Sequence, residues 1–90
     1  MVTMQELVLV DGAVNLRLKV SDSGGIADFE QKYKGEMRLI LAQMEAAAGL
    51  VRRGQQDEAN TCMDMATATF NDLKNWLARD PLFEFCKTLG

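Results

Sequence analysis

Histidine is absent from this chain, proline occurs once, and the two cysteines, Cys62 and Cys86, share no CxxC spacing. Without histidine, the usual base of a serine or cysteine nucleophile is missing, and no other residue stands beside a nucleophile as its activator. A tetrahedral zinc site would need carboxylates in no recognisable pattern, so neither a metal nor a cofactor is expected. Two isolated cysteines build no disulfide framework and read as reduced core thiols of a cytoplasmic protein. Long apolar runs are lacking too. Leu7 to Val10 ends at Asp11-Gly12, far short of the roughly 20 residues of a bilayer span, so neither a secretory signal nor a membrane segment is expected. Excess basic charge is also missing: the net charge is -3, which disfavours general affinity for nucleic acid.

What is present is a globular composition, 48% apolar and 26% charged over 90 residues, which suits one domain with a thin core. From Met4 to Val20 apolar and polar residues alternate around Asp11-Gly12, a dipeptide suited to a two-residue type I′ turn. This predicts a β-hairpin over 4–20, with Leu9 opposite Val14 and Leu7 opposite Leu16 on an apolar face, and Glu6 opposite Arg17 on the other. Ser21 to Gly25 reads as a turn, and Ser23 or Asp28 as an N-cap, the latter with Gln31 completing a capping box.

Phe29, Tyr33, Met37, Ile40, Met44, Ala47 and Val51 then recur in steps of three and four, predicting a helix over 27–53 that ends at Arg52-Arg53-Gly54. A second helix is expected over 56–79, with a seam at Ala59, Met63, Ala66, Phe70, Leu73 and Leu77, antiparallel to the first. Asp80-Pro81 starts a short helix over 81–89, whose Leu82, Phe85, Cys86 and Leu89 share a face. The expected fold is α+β, in the order ββααα.

Val51 to Ala59 resembles the inter-helix turn of tetratricopeptide-type repeats, a likeness that covers nine residues and implies a helical hairpin rather than a stacked array. Asp22-Ser23-Gly24-Gly25 resembles the nucleophile segment of chymotrypsin-like proteases, but no histidine is present to serve it. Asp57, Glu58 and Asp64 cluster near a helix start, where they favour the helix dipole rather than acid-base catalysis.

The functional reading is a non-enzymatic protein-interaction module. It is expected to be a homodimer that binds a larger protein as an inhibitor or adaptor, of the type found in phages and mobile elements. On the second long helix, Cys62, Met65, Thr69 and Trp76 widen the apolar arc beyond what one antiparallel neighbour covers. Trp76, Leu82, Phe83 and Phe85 concentrate aromatic and apolar surface near the end of the chain, as interface anchors do. The alternative is a nucleic-acid or nucleotide-binding module using Lys32, Lys34, Arg38, Arg52 and Arg53, although Glu30, Glu36 and Glu45 are interleaved with them.

Overall fold

A computed structural model describes residues 4–88. Where the sequence pattern predicts a β-hairpin there is one continuous helix, α1 (Met4–Asp22), and the described residues contain no strand. The protein is therefore all-helical rather than α+β. The physical reason lies in the distribution of apolar residues along α1. Leu9, Ala13, Leu16 and Val20, spaced by four, three and four, form a buried stripe. Leu7, Val10, Val14 and Leu18, spaced by three, four and four, form a second stripe that is 44–56% exposed. Two helical stripes laid over one another read as an alternating pattern, so period two and period 3.6 compete on the same residues. Asp11-Gly12 makes no turn: both residues are helical, and Gly12 is buried without positive φ.

The glycines that do turn the chain follow α1. Gly24 and Gly25 have φ of 92° and 80°, and the Gly25 and Gly24 amides donate to the Val20 and Ser21 carbonyls at 2.8 and 3.1 Å. This closure of a helix C-terminus requires a left-handed residue, which glycine adopts without a Cβ clash. Helix α2 (Phe29–Arg52) ends in the same way. There Gly54 has φ of 77°, and the Gln55 and Gly54 amides donate to Leu50 and Val51 at 2.8 and 3.0 Å. The left-handed terminator expected at Gly54 is present. At the start of α2, Asp28 occupies the N-cap but at φ 65°, and its side chain makes no capping hydrogen bond, so the expected capping box does not form.

Helix α3 (Gln56–Ala78) runs back along α2 as the antiparallel partner the sequence pattern predicts. Its buried stripe is Ala59, Met63, Ala66, Thr69, Phe70, Leu73 and Leu77, against Phe29, Ile40 and Ala47 of α2, with Met37 and Met44 partly buried beside them. The Thr69 hydroxyl donates to the Met65 carbonyl at 2.9 Å and also lies 3.1 Å from the Gln43 amide oxygen. A buried hydroxyl placed this way does not carry an unmet desolvation cost.

The last element, Pro81–Thr88, is a 3-10 segment kinked at Phe83. Asp80 initiates it, its carboxylate accepting from the Leu82 amide at 3.0 Å. Tighter winding brings residues three apart onto one side, so Phe83 and Cys86 point into the core while Leu82 and Phe85 face out. The α-helical expectation had grouped Cys86 with Leu82 and Phe85; Leu89 lies outside the described residues. Helix α1 rests across the hairpin with its backbone nearest to α3, and Leu9, Leu16 and Val20 join Leu73, Leu77 and Phe83 in one core. The result is elongated, 44 × 21 × 18 Å.

Candidate protein-binding surfaces

The first surface is the outer stripe of α1. Leu7, Val10, Val14 and Leu18 cover three turns of helix, about 17 Å at roughly 1.5 Å per residue, and face away from the core. Scattered exposed apolar residues are ordinary, but a row of branched ones at helical spacing is the pattern of a helix made to pack on both sides.

The second surface is a groove between α1 and α2. Their backbones stand apart, and side chains span the gap. The Tyr33 hydroxyl donates to the Ala13 carbonyl at 3.2 Å, and Arg17 pairs with Glu30 at 3.3 Å. The Arg17 guanidinium also lies over the Tyr33 ring, 5.6 Å from its centroid. Burial raises the Tyr33 pKa above its ordinary value, outweighing the opposing charge of Arg17. The hydroxyl is therefore a neutral donor at physiological pH. Around this crossing, Lys34, Met37, Arg38 and Leu41 complete an open trough of about 320 Å³.

Of the basic residues singled out from sequence, the fold brings Lys34 and Arg38 together with Arg17 and separates the rest. Lys32 faces α3, bonded to Glu36 at 2.8 Å and 6.0 Å from the Trp76 ring centroid, beside a shallow depression of about 490 Å³ that also contains Asp28 and Gly35. Arg52 and Arg53 close the far end of α2, 14 residues beyond Arg38 and so about 21 Å away along the axis. Among the described residues these five form no continuous basic stripe.

Of the candidate anchors near the end of the chain, Leu82 is 74% and Phe85 40% exposed while Phe83 is 1% exposed. Trp76 is half-buried with the Arg79 guanidinium stacked 4.3 Å from its ring centroid, a favourable cation-aromatic contact. Sequence reasoning missed Leu7, Val10, Val14 and Leu18 as a surface because a hairpin folds Leu7 and Val14 inward. It missed Arg17 and Tyr33 as neighbours because it paired Arg17 with Glu6. The signal that finds both is the four-three-four spacing from Leu9 to Val20, followed by Gly24-Gly25 as a helix stop.

Among the described residues no cluster of acids and cysteines could hold a metal ion, and no helix is long and apolar enough to cross a membrane. Cys62 is half-buried and Cys86 fully buried, both as free thiols. The chain matches no protein-family model, no curated protein and no solved structure.

Proposed function

We propose that this protein is a small non-enzymatic interaction module of the cytoplasm that occupies a surface on a larger protein, as an inhibitor or adaptor, and self-associates through α1. The observation that carries the reading is the outer stripe Leu7, Val10, Val14 and Leu18, an apolar face left exposed by the described residues. A second copy can supply one by two-fold pairing, in which each stripe meets its own duplicate.

Light scattering after size exclusion tests the self-association. A dimer is expected at tens of micromolar, and Leu7→Glu/Val14→Glu is expected to be monomeric with unchanged far-ultraviolet circular dichroism. A wild-type monomer at 100 µM removes the self-association. The larger partner is tested separately by affinity capture, comparing the wild type with the same double variant. The absence of any specifically captured protein counts against the module reading, whereas loss of capture by the double variant would place the partner on the α1 stripe.

A further inference from the structure

Resting on the reading of the chain as a protein-binding module, we infer that the groove between α1 and α2 receives a short acidic segment of the partner protein, with an apolar side chain inserted between flanking carboxylates. Charge carries the argument. The groove is lined by Arg17, Lys34 and Arg38 against a single acid, Glu30, and Glu30 is already paired with Arg17. The local balance is therefore +3 − 1 = +2 in a chain of net charge -3. Lys34 and Arg38 sit one turn apart on the exposed side of α2 and enter no ion pair among the described residues. Two such cations on one helix, with a third from a neighbouring helix, focus positive potential on the trough between them.

The floor supplies the second half of the recognition. Met37 is partly buried and Leu41 is 53% exposed, and, one turn apart on α2, both line the same trough as the three cations. An apolar floor with a charged rim is how peptide-binding grooves divide affinity from orientation. From Tyr33 to Leu41 the floor runs two turns of α2, about 12 Å at roughly 1.5 Å per residue, the length of two helical turns or four extended residues of a ligand. The groove is a poor fit to single-stranded nucleic acid, which needs an aromatic face free for base stacking. The Tyr33 ring is covered by Arg17 and its hydroxyl is committed to Ala13.

The test selects ligands from a random 12-residue peptide display library against the full chain and against Lys34→Glu/Arg38→Glu, with folding of both checked by circular dichroism. Enrichment of peptides carrying Asp or Glu around an apolar residue, on the wild type only, is expected. A fluorescein-labelled selected peptide should bind at least tenfold more weakly to Lys34→Glu/Arg38→Glu, and several-fold more weakly when salt rises from 50 to 300 mM. Arg52→Glu/Arg53→Glu, which changes charge equally at the far end of α2, should stay within twofold of wild type. Enriched peptides that lack acids, or that bind Lys34→Glu/Arg38→Glu equally well, overturn the groove assignment while leaving the module reading intact. A 12-nucleotide oligothymidylate that displaces the peptide with equal affinity also overturns it, because the site then reads only a polyanion. No enrichment on either protein overturns the groove and counts against the module reading with it.

Discussion

Leu16 and Leu18 are two positions apart on α1, yet Leu16 is fully buried and Leu18 is 56% exposed. In a strand they would share a face; in this helix they do not. Leu16→Ala is expected to cost about 2–5 kcal/mol, through lost burial and the cavity left behind. Leu18→Ala should stay within about 0.5 kcal/mol for an isolated chain, and urea denaturation of the two variants checks the contrast. The two thiols divide similarly. Cys62 is only partly buried and should alkylate with iodoacetamide in the native state, whereas the fully buried Cys86 should react only as the protein unfolds; Cys62→Ser should remove the native-state reaction. Burial also raises the Cys86 pKa above its ordinary value of 9.0, as it does for Tyr33 above 10.0. In both cases the unfolded chain loses the proton first, so the native state loses stability as pH rises. Unfolding free energy should be level with respect to these two groups below about pH 8.5 and then fall, with Cys86→Ala flattening the earlier part and Tyr33→Phe the later part.

Each long element can be altered where nothing but the helix itself responds. Gly35 lies within α2, and a Cβ added there would meet no atom within 4 Å. Gly35→Ala should therefore stabilise by about 1 kcal/mol, raising the melting temperature by roughly 4–8 °C. Asp11→Ala should add a few tenths of a kcal/mol through helix propensity, measured by thermal melting at 222 nm; in a type I′ turn the same change would be harmful. Gly54→Ala should cost about 1 kcal/mol, because alanine resists the left-handed backbone that closes α2. The α2–α3 hairpin was legible in the sequence because the apolar residues of each helix include a continuous seam of one helical period, with punctuating residues such as Gly54 and Asp80-Pro81 at the ends. Its predicted limits, 27–53 and 56–79, lie within two residues of those observed. Helix α1 was not legible as a helix: apolar on two sides, it carries no single period, and Asp11-Gly12 offered a turn that the chain does not use. The same ambiguity hid both candidate surfaces, since each depends on which way Leu7, Val14 and Arg17 point. In the tail, the start at Asp80-Pro81 was legible, but its winding was not. That winding sends Phe83 inward and Leu82 outward.

At the scale of the whole molecule, the radius of gyration is 13.9 Å, against about 12 Å for a compact chain of this length. The long α2–α3 pair sets that shape, and α1 is held to it by Leu9, Ala13, Leu16 and Val20 together with the Tyr33 hydrogen bond and an exposed ion pair. An ion pair as exposed as Arg17–Glu30 adds at most about 1 kcal/mol. The α2–α3 contacts are close in sequence and α1 adds few of its own, so the hairpin should form early and α1 should dock afterwards. The protein then has two levels of opening. Native-state amide exchange should show α1 released as a unit at a free energy well below global unfolding, with the amides of Met63 to Leu77 exchanging last. Equal protection across all the helices would instead show a molecule that opens only as a whole.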